Sequence, residues 1–156
     1  MTVGKALLRF LTQCGQMPDA LIDAGALTTG HSLFNVGQEV LEHSPKHQGV
    51  IFFCEKRMEW VVLDRTGQIA SEASSPLRPD VCFVLFDEVR CRGTDKKLRS
   101  DAIGVITVGP RMCKDKFMQA AGRLRLLGQG QHLVCVVPRE VHAQMCGGCR
   151  PESDPG

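Results

Sequence analysis

Three stretches of the chain carry side chains suited to phosphate, metal or thiol chemistry. The apolar run Cys82–Phe86 ends in Asp87-Glu88, a pair that could hold Mg²⁺ through Asp87 and polarise a water through Glu88. A basic loop follows at once and contains Arg92-Gly93-Thr94-Asp95. Some twenty-five residues on comes Gln119-Ala-Ala-Gly122-Arg123-Leu-Arg125. A guanidinium at Arg123 or Arg125 could reach a γ-phosphate supplied by another lobe and stabilise its developing charge. Gly93 would let the backbone turn tightly, and Asp95 could accept hydrogen bonds from an arginine and brace the loop. No GxxxxGK[ST] loop occurs, so these residues do not make an autonomous ATPase. The plain alternative for Asp87 and Glu88 is ion pairing with Arg90 and Arg92 on a surface loop.

Thiol chemistry would require a cysteine activated by a histidine. Cys91, between Arg90 and Arg92, has the best local electrostatics for a thiolate. Which of His31, His43, His47, His132 or His142 would meet a cysteine is not legible from spacing. His142 with Cys146-Gly-Gly-Cys149 is half of a zinc site, and no second CxxC completes it. A Gly-Gly tail with incidental thiols is the simpler reading.

Positioning these groups falls to an alternation of apolar runs and amphipathic stretches. Residues 4–13 and 18–24 read as short helices, and Ser32 as the cap of a helix reaching about Glu42. GVIFF at 49–53 and WVVLD at 60–64 read as strands, with DRTG closing a hairpin over 59–71. Strands at 82–86, 102–109 and 132–137 surround a helix at 114–127, and a last helix follows Pro138. Uninterrupted apolar strands alternating with helices imply an α/β fold with a parallel sheet. Residues 81–138 hold ten Lys/Arg against five Asp/Glu, so this half could face phosphates of a nucleotide or a nucleic acid. Eight cysteines without a secretory signal predict reduced thiols in an intracellular compartment, cytoplasm or nucleus, and no apolar run is long enough to span a bilayer.

The order RGxD, strand, QxxGRxR resembles the second RecA-like lobe of superfamily-two helicases. The expected second arginine falls at Leu126, and here it stands at Arg125, a displacement of about 100° if the segment is helical. The longer strings FDEVRCRGTDKKL and ITVGPRMCKDKFMQAAGRLRLLGQGQHLV resemble something narrower. They are similar to the C-terminal region of very large eukaryotic proteins named ubiquitinyl hydrolase or ubiquitin thioesterase, and ALIDAGAL at 20–27 and VVLDRTG at 61–67 extend the likeness. Arg90 stands where that family tends to have His, and Gly122 where it tends to have Met. The resemblance implies a RecA-like lobe, taken over 49–146 (core 81–138); the residues before it, 1–48, read as a helical segment and 147–156 as a disordered tail. It also implies thiol-dependent cleavage of ubiquitin conjugates by the parent protein, with ubiquitin or a ubiquitinated protein as partner, alongside further domains of that parent. The lobe itself would be scaffold or regulator, with no resident cofactor. The alternative is the second lobe of a nucleic-acid motor, using ATP and Mg²⁺ with a partner lobe.

Overall fold

The apolar runs become strands because each can cross a sheet, and the central ones are buried on both faces. In the computed structural model, which describes residues 15–91 and 96–147, these are β1 (Ala20–Ile22), β2 (Gly49–Cys54), β3 (Glu59–Asp64), β4 (Ile69–Ser71), β5 (Cys82–Phe86), β6 (Ile103–Thr107) and β7 (His132–Val136). The helices are α1 (Leu33–His43), α2 (Lys114–Ala121) and α3 (Arg139–Gly147). The helix expected over 4–13, the Arg92–Asp95 element and the tail beyond Gly147 lie outside the described residues.

The seven strands form one mixed sheet in the order β4-β3-β2-β5-β1-β6-β7. Five are parallel, β2-β5-β1-β6-β7, and β3 and β4 are added antiparallel at one edge. The α/β expectation holds at this level. The helix expected over 18–24 is instead β1, the strand between β5 and β6, and it belongs to the segment 1–48. A strand of three residues is too short to show a period. Their place is set by neighbours, as Asp19 N donates to Ile103 O (2.7 Å) and Asp23 N to Phe86 O (2.8 Å).

Side chains alternate across the sheet and split the core in two. Leu21, Val50, Leu63, Phe83, Leu85 and Val105 meet Val36, Val40 and Leu41 of α1. Ile22, Ile51, Val84, Phe86 and Ile106 face the other way, toward Ala120 of α2 and the following Leu124. α2 is shorter than the helix expected to reach 127. It stops at Ala121, and Gly122, a poor helix former, takes the cap with its N–H bonded to Met118 O. Arg123 and Arg125 are therefore in the turn after the helix, so the 100° displacement does not apply to them.

Candidate functional site

The carboxyl ends of the parallel strands converge on β1, where the sheet order reverses. β1 leads through α1 to β2 on one side, whereas β6 lies on the other. Loops separate at such a switch point, and ligands of α/β sheets bind there. Asp23, the first residue after β1, is 3% exposed and fully engaged. Its Oδ1 accepts from Leu27 N (2.9 Å) and Thr107 Oγ1 (2.7 Å), and its Oδ2 from Thr28 N (3.0 Å) and the Thr28 hydroxyl. Thr107 Oγ1 in turn accepts from Gly25 N (2.9 Å). This pins the β1–α1 loop to the end of β6, and the approach is close. A Cβ on Gly25 would fall 2.6 Å from Gly109 N, so only glycine fits there.

Beyond this clasp the loop opens into a cavity of about 810 Å³. Its floor is the loop Thr28–Ser32 and the first turn of α1. Phe34, Phe52 and Phe53 supply apolar wall, and Asp87, Glu88 and Val89 close it from the end of β5. Gly30 has a φ of +87°, which favours glycine, and the space where its Cβ would stand is open. Ser32 occupies the N-cap of α1, as expected, yet its side chain makes no capping bond.

Among the described residues, Asp87 and Glu88 meet a backbone amide and a lysine, and the Arg92 half of the expected pairing lies outside them. Asp87 Oδ1 accepts from the backbone N of Arg90 (2.8 Å), and Glu88 meets Lys116 Nζ at 2.9 Å. The Arg90 guanidinium lies over the Phe53 ring, 3.6 Å from its centroid, a cation–π contact. Arg92, Gly93 and Asp95 lie outside the described residues. Gln119 is exposed on α2, Arg123 is half-buried and Arg125 is exposed.

Cys91 is buried, with its thiol directed at Phe86 O (3.8 Å). Burial pushes the thiol up to about 12, the carboxylates of Asp23 and Asp87 add to the rise, and Arg123 and Lys116 offset only part of it. The expectation that flanking arginines favour a thiolate is thus reversed, because desolvation outweighs charge. Arg123 nonetheless lies within electrostatic reach of Cys91.

His142 and Cys146 are neighbours one turn apart on α3, with Sγ 3.7 Å from Nε2, both exposed; Cys149 lies outside the described residues. Among the described residues no group of three or more His, Cys, Asp or Glu is placed to hold a metal ion by itself.

A second polar cluster, missed in the sequence, sits at the opposite edge of the sheet. The His47 ring lies between Ser44 Oγ (2.6 Å from Nδ1) and Asp19 Oδ1 (3.2 Å from Nε2). The residue types are those of a hydrolase triad, but Ser44 is 0% exposed and His47 2%, which closes them to substrate. Asp19 also takes Lys46 Nζ at 2.7 Å and Ile103 N at 3.0 Å. Burial raises its pKa, and the bonds from His47, Lys46 and Ile103 outweigh that and hold the carboxyl well below the usual range. Arg65 donates to the carbonyls of Leu41 (3.0 Å), His47 (2.7 Å) and Ser44, closing the end of α1. No contiguous signal marks this group, since its members are spread from residue 19 to residue 103.

No protein-family model, no curated protein and no solved structure matches this chain. No helix among the described residues is long and apolar enough to cross a membrane.

Proposed function

We propose that the chain is a divergent RecA-like, helicase-type lobe of a ubiquitinyl-hydrolase-like protein, where it acts as scaffold or regulator and leaves thiol cleavage to another part. The observation that carries the non-catalytic role is Cys91, buried and with its pKa driven up to about 12 by desolvation. His47 is committed to Ser44 and Asp19, and His43 Nδ1 to Glu39 O (2.8 Å). The lobe's partners on this reading are ubiquitin or a ubiquitinated protein and further domains of the parent. Six described cysteines, all free, support an intracellular setting.

A second reading, the second lobe of an ATP-dependent nucleic-acid motor, is favoured by Arg123 lying within electrostatic reach of Cys91, the buried residue that follows the end of β5. One experiment separates the two. The purified chain is incubated with ubiquitin bearing a thiol-reactive group at its C-terminus, and isotope-labelled ubiquitin is titrated with the chain in parallel. The expected outcome is no covalent adduct, together with shifts in the ubiquitin spectrum. An adduct lost in Cys91→Ser overturns the scaffold role. No ubiquitin shifts, with ATP-dependent binding to single-stranded nucleic acid lost in Arg123→Ala, selects the motor reading.

A further inference from the structure

The last helix, α3, presses little of itself against the fold. Val141 is buried, whereas residues 142–147 are exposed throughout. A helix of nine residues is marginal in water without packing or a local tie. Its exposed face carries the groups for such a tie. His142, Met145 and Cys146 stand at i, i+3 and i+4, positions that share one face of a helix. An imidazole, a thioether and a thiol are donors suited to soft metal ions. Two of them are already at a chelating separation, since Cys146 Sγ lies 3.7 Å from His142 Nε2 and 3.8 Å from Nδ1. An ion held about 2.3 Å from sulfur and about 2.0–2.1 Å from nitrogen sets those donors about 3.6–3.8 Å apart, at angles between tetrahedral and trigonal. The last turn of α3 carries no basic side chain, and the negative end of the helix dipole favours a cation there.

We infer that His142, Met145 and Cys146 form a binding site for one cuprous ion per chain. The donor set selects the metal. Zinc takes thiolate, imidazole and carboxylate, and among the described residues no three of these converge. Copper(I) also accepts a thioether, so Met145, 60% exposed on the same face, completes a three-donor set. Cys146 would bind as the thiolate, releasing its proton to solvent, and His142 through one neutral ring nitrogen. Both are exposed, so the ring is free to turn and aim that nitrogen at the ion. Cys149, three residues on in the sequence, lies outside the described residues and is not needed for this set. Because the donors span one turn, the bound ion clips the end of α3 in its helical form. The site is remote in kind from the carboxyl-edge cavity and does not depend on the ubiquitin reading.

The test is titration of the full chain with Cu(I) in oxygen-free buffer containing ascorbate, in competition with the chromophoric chelator bicinchoninate, followed by X-ray absorption at the copper edge. One ion per chain is expected, with both sulfur and imidazole nitrogen around the copper. Amide hydrogen exchange over residues 142–147 should slow when the ion is bound. Cys146→Ser should weaken binding about a hundredfold, and His142→Ala and Met145→Leu about tenfold each. All three positions are exposed, so these substitutions leave the fold intact, as circular dichroism would check. Cys113→Ser and Cys149→Ser should each leave the affinity within about threefold of the native chain. Binding that persists in Cys146→Ser, or falls as far in Cys113→Ser or Cys149→Ser, overturns the site in favour of adventitious thiol binding. A copper shell of sulfur alone, displacement by an equimolar amount of zinc, or absence of binding also overturns it.

Discussion

The two edges of the parallel sheet bury carboxylates in opposite ways. At the amino edge, Asp19 is surrounded by Lys46, His47 and Ile103 N, Ser44 is sealed beneath the ring, and Arg65 closes the layer. At the carboxyl edge, Asp23 is equally satisfied, but beside it Asp87 and Glu88 stand at the mouth of a cavity. Residue types alone would favour the wrong edge, since Ser44, His47 and Asp19 mimic a catalytic triad. Access reverses that choice. A polar group with all its partners and no opening stabilises a fold, and one facing a cavity is available to a ligand.

The strongest way to break this comparison is to delete the same side chain at both edges. Asp19→Ala strands His47 and Lys46 and should cost about 3–5 kcal/mol, whereas Asp87→Ala should cost under about 1 kcal/mol. Urea denaturation of the two variants reads the difference. Equal costs would mean that the carboxyl edge is also a structural cluster. The same contrast has a pH signature. Asp19 has a depressed pKa in the fold, so its contribution is complete above its unfolded value, about 3.9, and is lost as pH falls through the folded value below the carboxylate range. Stability should therefore decline on acidification below about pH 4, and Asp19→Asn should flatten that decline relative to the native chain.

An intermediate effect is expected at the clasp. Thr107→Val keeps the shape but removes the hydroxyl that joins Asp23 to Gly25 N, and should cost about 1–3 kcal/mol. If the clasp positions the loop, amide hydrogen exchange over residues 25–32 should quicken in the same variant by more than it does in an equally destabilised core variant such as Val40→Ala. Cys91 sharpens the contrast without mutation. Its buried thiol should resist iodoacetamide at neutral pH while exposed Cys113 and Cys146 react, as peptide mapping by mass spectrometry would show. Alkylation of Cys91 at the rate of Cys113 would mean that its cover opens freely.

Most of the sheet was legible, because the runs 49–54, 60–64, 82–86, 103–107 and 132–136 are continuous apolar stretches bounded by turn residues. β1 was not, since Ala20–Ile22 has no room for periodicity and is a strand only because β5 and β6 flank it. The end of α2 was misjudged because apolar residues continue past Gly122 with a helical spacing that the turn does not use. At the site, Asp87 and Glu88 were legible as a strand-end pair. The clasp joining residues 23, 25, 28 and 107 was not, being made across some eighty positions of chain. Cys91 misled because neighbouring charges are visible in a sequence and desolvation is not.

The smallest effect belongs to the two lysine–carboxylate pairs, and it completes the comparison. Lys46 meets an almost fully buried carboxylate, and Lys116 meets Glu88, whose side chain is 48% exposed. An exposed partner is screened by water, so Lys116→Ala should change stability by no more than about 0–1 kcal/mol, an effect that shrinks further in salt. Lys46→Ala should cost more, because it leaves part of Asp19 uncompensated away from solvent. Lys116 also neutralises Glu88 at the cavity mouth. Its removal should therefore make the cavity mouth more acidic, although the fold is unchanged. A Lys116→Ala variant that loses several kcal/mol would show the pair to be a structural clasp like that at Asp19.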